Sequence, residues 1–221
     1  MKLKDFLWIL IILIFTSNII FPQTRTYFEY ATVEAPYLMG FLKTGLLATM
    51  GERLVQRMKT GFYFHDKGIF YKFMVWGFLG MGFVLVFKLF SSGVIAAQAS
   101  GLLPKVTEPI FLGALITALM TSLLMNLIFA PTFMMLHRIT DGYIELSFGK
   151  LKNIKQVELK QVIEKIDLHQ FTSFVVLKTI PFFWIPAHTI TFLLPENYRV
   201  LMASYLSIAL GMILTLAKRK K

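Results

Sequence analysis

The sequence predicts an all-α fold, a polytopic transmembrane helical bundle with about six apolar segments and both termini cytoplasmic. Three observations predict it. Hydrophobic residues make up 56% of the 221 residues. They are gathered into runs near 6–21, 36–52, 70–92, 107–137, 171–194 and 199–217, and runs of about 17–25 apolar residues suffice to cross a bilayer as helices. Lysine and arginine border these runs on one side only. Of the 23 basic residues, 17 fall at 2–4, 53–72, 138–165 and 218–221, whereas the alternate loops hold only Arg25, Lys105 and Arg199. That is the positive-inside pattern.

The elements follow in order. Lys2 and Lys4 precede Phe6–Phe15 as in a signal sequence, but Thr16-Ser17-Asn18 is a poor cleavage site, so residues 1–30 read as an uncleaved signal-anchor and outer loop. Residues 22–35 read as a polar outer loop. Residues 31–221 read as a single membrane-embedded domain. Pro36 opens the second helix, where proline costs least, and that helix runs to about Lys59. Gly61–Gly68, with His65 and Asp66, reads as a turn. A third helix spans about 69–91, and 94–106 reads as a loop or short interfacial helix. The segment 107–140 is longer than one crossing, with a break expected at Pro131. Residues 150–168 read as an amphipathic helix on the membrane surface. Pro181 and Pro186 make the fifth segment irregular, either kinked or a re-entrant pair of short pieces. Val200–Leu216 is a regular span ending in a basic tail.

Composition also excludes function classes. The net charge of +11 would suit nucleic acid, but it lies in the loops that set topology, so no nucleic-acid partner is expected. Membrane lipids are the expected surroundings. The chain has no cysteine, which removes disulfides, thiol catalysis and thiolate metal sites. His65, His137, His169 and His188 lack metal-ligand spacing, and there is no GxSxG, P-loop or GxGxxG. No catalytic, cofactor or metal site is assigned, and the chain is not read as an enzyme. His137 and Asp141, one helical turn apart, are the only carboxylate–histidine pair and are expected to anchor a helix end.

Polar residues inside the apolar runs carry the functional expectation. Gly45, Thr49, Glu52 and Gln56 fall on one helix face, either a polar seam along a water-filled path or a packing seam. Ser122 and Asn126 are one turn apart, before Pro131. Lys43, Lys88 and Lys178 lie within apolar runs, where charges are costly and often functional.

Several of these features recur together. Pro36, Gly45 and Gly51-Glu52-Arg53-Leu54-Val55-Gln56 resemble a proline, a mid-helix glycine and Gly-Asp-x-x-x-Gln. Gly77-Phe78-Leu79-Gly80-Met81 is similar to Gly-Phe-x-Gly-Pro, and Val86-Phe87-Lys88 stands at a Trp-Tyr-Lys position. Met125-Asn126-Leu127-Ile128-Phe129-Ala130-Pro131 resembles Asp-Gln-x-x-Phe-Ala-Pro. Ile185-Pro186-Ala187 sits where Trp-Pro-Ala is expected, and Leu194-Pro195-Glu196-Asn197-Tyr198-Arg199 is similar to Val-Pro-x-x-Tyr-Arg. Over 36–216 the chain thus resembles the Mpv-seventeen/peroxisomal membrane protein family. The resemblance implies a small helical membrane protein, channel-like, often regulated and contributing to membrane homeostasis. Its motif residues Pro36, Gly51, Gly77, Gly80, Pro131, Pro186, Pro195, Tyr198 and Arg199 would be structural.

The expected function is therefore an integral membrane channel-like or transport protein for small hydrophilic solutes. Gly45, Thr49, Glu52, Gln56, Lys88, Asn126 and Lys178 would line or brace the path, and the lysines would bias it toward anions. The alternative is a non-conducting structural or assembly protein packing through its glycine seams, and a homo-oligomer suits either reading. The location expected is a bacterial inner (plasma) membrane, with an organelle membrane as the alternative.

Overall fold

A computed structural model describes residues 3–64 and 67–219, the last three without their side chains. Lys2, His65, Asp66, Lys220 and Lys221, members of the basic borders and of the 61–68 turn, lie outside the described residues. The elements are α1 (Leu3–Ile20), α2 (Pro22–Glu34), α3 (Pro36–Thr60), α4 (Ile69–Ala99), α5 (Ile110–Ile128), α6 (Ala130–Leu146), α7 (Leu151–Ile154), α8 (Leu159–Lys165), α9 (Leu168–Leu193) and α10 (Glu196–Arg219). Among the described residues there is no strand.

By length and composition, five helices can cross a membrane: α1, α4, α5, α9 and the stretch Glu196–Leu216 of α10. α3 is long enough at 25 residues but is too polar to join them, because it carries Lys43, Glu52, Arg53, Arg57 and Lys59. It lies inside the bundle instead, packed between α4 and α10.

The α3–α4 contact depends on missing side chains. A Cβ on Gly80 would collide with the Gly40 carbonyl and with Thr44, and one on Gly77 would meet the Phe41 ring. Small residues at both faces let the backbones touch, so dispersion contacts and backbone packing replace the hydrophobic drive that lipid does not supply. Two apolar cores flank this seam. One gathers Phe87, Ala118, Met125, Phe192 and Val200. The other gathers Phe28, Leu47, Leu201 and Ile208, with α1 closing over it. α1 is tied down by Trp8 Nε1 donating to the Met50 carbonyl at 3.0 Å, by a 2.6 Å bond between Thr16 and Tyr205, and by Asp5 against Arg57 at 2.8 Å.

The structure corrects four expectations. Residues 22–34 form a helix, not a loop: Pro22 sits in its first turn, and Phe28 is buried against Tyr198. α4 continues to Ala99, so residues 94–99 are its last turns rather than a loop or a separate interfacial helix. The single amphipathic helix at 150–168 is broken into α7 and α8. Glu158 and Gln161 form a capping box that starts α8 afresh, and Val162 is fully buried on Gly142. Residues 171–193 are not a re-entrant pair of short pieces but one continuous helix. From Phe171 to Trp184 it widens to π-helical spacing, and Ile185 N–H reaches the Ile180 carbonyl five residues back. This looser ladder accepts Pro181 in mid-helix, where α-helical spacing would set its ring against a carbonyl. The break before Pro131 falls at Phe129, as its ring requires.

The described basic segments meet at one end of the bundle. Lys4 lies over the Phe64 ring at 5.7 Å, and Gly211 of α10 approaches Val55 of α3. The opposite end holds the α2–α3 corner, the α4–α5 loop and the α9–α10 turn.

Candidate solute cavity and the polar clusters behind it

At the end opposite the basic segments, α2 folds back over α3 because Pro36 starts a new helix immediately after Ala35. Thr32 of α2 and Lys43 of α3 are thereby brought together. Lys43 is only 1% exposed. Its ammonium donates to Thr32 Oγ1 at 2.7 Å and toward the Asn197 carbonyl at 3.5 Å, and it stands 4.3 Å from the centre of the Phe28 ring. Thr32 spends its own hydrogen on the Phe28 carbonyl at 2.7 Å, which leaves its oxygen as the acceptor. Among the described residues no carboxylate pairs with Lys43.

Lys43 lines a cavity of about 350 Å³, walled also by Gly40, Val84, Lys88, Glu196 and Arg199. A second cavity of about 560 Å³ shares Lys88, Glu196 and Arg199 and extends to Ser91, Gln98 and Lys105. The Lys88–Glu196 ion pair, 3.0 Å long, stands between them with side chains 61% and 57% exposed. Arg199 caps the end of α9, donating to the carbonyls of Leu194 at 3.1 Å and Phe192 at 3.2 Å. Tyr198 hydrogen-bonds Glu29 of α2, which fixes the corner. The first cavity thus sets three cations, Lys43, Lys88 and Arg199, against one carboxylate, Glu196.

The basic end is closed by a different cluster. Glu52 of α3 accepts from Trp76 Nε1 at 2.7 Å and from Lys72 Nζ at 3.1 Å, both on α4. His137 of α6 places Nε2 3.5 Å from Glu52 and Nδ1 3.3 Å from Asp141, with its ring 4.1 Å from that of Trp76. Arg53 donates to Gln56 Oε1 at 2.6 Å and to the Tyr63 carbonyl at 3.3 Å. Glu52, His137 and Asp141 lie within 4.8 Å of one another, close enough for a metal. Yet Glu52 already accepts from Lys72 and Trp76, and the Lys72 ammonium 3.1 Å from its carboxylate would repel a metal cation. The cluster suits a polar cross-link of α3, α4 and α6 better than a metal centre.

The bundle interior holds a third group. Asn126, fully buried on α5, donates to the Ser122 carbonyl at 2.8 Å and pairs its amide with His188 Nδ1 of α9 at 3.1 Å. Ser122 Oγ donates to the Ile185 carbonyl at 2.7 Å. Trp184 stacks on His188 with ring centres 5.1 Å apart.

The seven residues expected to share one path are therefore distributed. Glu52 and Gln56 stand in the basic-end cluster, Lys88 stands at the cavities, and Asn126 braces α5 to α9. Gly45 packs against Phe73. Thr49 is buried with its hydroxyl unpartnered among the described residues, between the cavity and Glu52 on α3. Lys178 is exposed on the outside of α9 and lines neither cavity. Thr32, Glu196 and Lys105 were not singled out, because each lies in a segment that reads as loop. Lys72 and Trp76, one turn apart in α4, are 20 and 24 residues from Glu52 in sequence, and only the α3–α4 packing brings them to it.

No family model, no curated protein and no solved structure matches the chain.

Proposed function

We propose that the chain is an integral membrane protein that passes small hydrophilic solutes, preferentially anions, and that it is a distant member of the Mpv-seventeen/peroxisomal membrane protein family. In this reading the basic end faces the cytoplasm of a bacterial inner membrane, and the two cavities open on the other side. The observation that carries the reading is Lys43: a cation buried among α2, α3 and α10, on the wall of a cavity, without a carboxylate partner among the described residues. A charge taken out of water is costly unless paired. A solute anion in the cavity supplies that partner.

Thr44, hydrogen-bonded to Ser204 at 3.0 Å, and Thr49 lie along α3 between Lys43 and Glu52, while the helical spacing turns Glu52 to the opposite side of α3 from Lys43. In this reading the Glu52 cluster, which joins α3 to α4 and α6, shuts the basic end and opens when α6 and its His137 move away from α3. The alternative, a scaffold using its glycine seams to bind a partner, has less support, because Gly40, Gly77 and Gly80 are already covered within the chain. Purified protein in planar bilayers tests the proposal. Anion-selective conductance that rises in Glu52→Gln is expected. Well-folded protein that leaves the bilayer silent in both forms refutes it.

A further inference from the structure

We propose that the paired cavities bind a dianionic phosphate group, presented either by a small soluble phosphate monoester or by the headgroup of an anionic lipid with a terminal phosphate. The inference deepens the anion-cavity reading and rests on it. Charge is the first argument. Three cations face one carboxylate in the first cavity, a surplus of two positive charges. A phosphate monoester carries about two negative charges at neutral pH and offers three peripheral oxygens.

Geometry is the second argument. The cations come from three elements, Lys43 from α3, Lys88 from α4 and Arg199 from α10, so three oxygens can each meet a donor from a different wall. Lys43 is buried and held from two sides, which fixes one point of the site. Arg199 spends two donor groups on backbone carbonyls and keeps others of its five N–H. Lys88 is held only by an exposed ion pair, which contributes little to stability, so an entering dianion can exchange with Glu196 for it.

The second cavity accommodates the remainder of the ester. Ser91, Gln98, Thr117 and Lys105 supply polar groups beside the apolar walls of Ile95 and Ile110. Thr117 Oγ1 and Gln98 Oε1 are joined at 3.1 Å, and Gln98 Nε2 donates to the Pro104 carbonyl at 2.9 Å, so this wall is fixed before a ligand arrives. The volumes, about 350 and 560 Å³, lie within the usual range for small-ligand sites.

The test is equilibrium binding of radiolabelled inorganic phosphate to the full chain in phosphatidylcholine nanodiscs. Saturable binding displaced by glycerol phosphate is expected, with chloride and succinate much weaker competitors. Repeating the assay with phosphatidic acid in the nanodisc separates the sources: label displaced by the lipid identifies a headgroup site, and label retained identifies a soluble ester. Lys43→Met should abolish binding. Because that variant replaces a buried group, two exposed ones keep the test decisive. Glu196→Gln should tighten phosphate about two- to fivefold and Lys88→Gln should weaken it by a similar factor, the scale of one exposed ion pair. Absence of saturable binding, equal displacement by chloride or succinate, or unchanged affinity in both exposed variants overturns the proposal. Phosphate binding with a silent bilayer would remove conduction and keep this site. Anion conductance without phosphate binding would do the reverse.

Discussion

Lys43 and Glu52 belong to one helix and have opposite situations. Lys43 is held by a hydroxyl, a carbonyl and an aromatic face, with no carboxylate among the described residues. Glu52 is surrounded by donors from α4 and α6. Glu52→Gln removes the carboxylate that three elements share and leaves buried donors with a weaker acceptor, a loss of about 1–3 kcal/mol. Thermal unfolding in detergent should show that loss, while conductance rises. Asn126 behaves differently, because its partners Ser122 and His188 are internal to the α5–α9 contact. Asn126→Ala should lower stability by about 1 kcal/mol, given the modest worth of hydrogen bonds inside membranes, and should leave ion selectivity unchanged. Lys178→Met should change neither, since the side chain is exposed away from both cavities; a changed reversal potential would return Lys178 to the path.

Among the elements, α3 and α4 were the most legible in the sequence. Pro36, the glycines Gly77 and Gly80, and the turn opening at Gly61 mark where α3 starts, where α4 is approached and where α3 stops, whereas Gly40, which meets Gly80, carries no signal of its own. Gly80→Leu should separate α3 from α4 at a cost of about 3 kcal/mol or more, because backbone cannot repack around an inserted side chain; a melting temperature equal to that of the parent would contradict the close approach. α9 was legible only in part. Pro181 announces an irregularity, but periodicity does not tell a π-helical widening from a break, and it is the neighbours that decide. Ser122 on α5 bonds the Ile185 carbonyl and keeps the chain helical through the prolines. α2 was missed because its composition is polar, and its helicity rests on tertiary packing of Phe28. The cavity was missed for the same reason. Four polar residues of the two cavities, Thr32, Lys105, Glu196 and Arg199, lie in or beside corners whose distances in sequence say nothing of their distances in space.

At the scale of the whole molecule, charge and packing agree. The described basic stretches gather at one end, and the cationic cavities lie at the other, so the topology expected from the lysines places the cavities outside. The absence of cysteine makes this directly testable by single-cysteine labelling. Ser92→Cys should react with an impermeant maleimide in intact cells, and Lys155→Cys only after permeabilisation; the opposite pattern would invert the topology. The central claim is that Lys43 serves a passing anion. Its most direct test is the reversal potential of single-channel current across an asymmetric salt gradient, compared between the parent protein and Lys43→Met. An anion-selective potential in the parent that moves toward cation selectivity in the variant is the predicted result. Identical selectivity in two conducting proteins, or no conductance in the folded parent, would contradict the account.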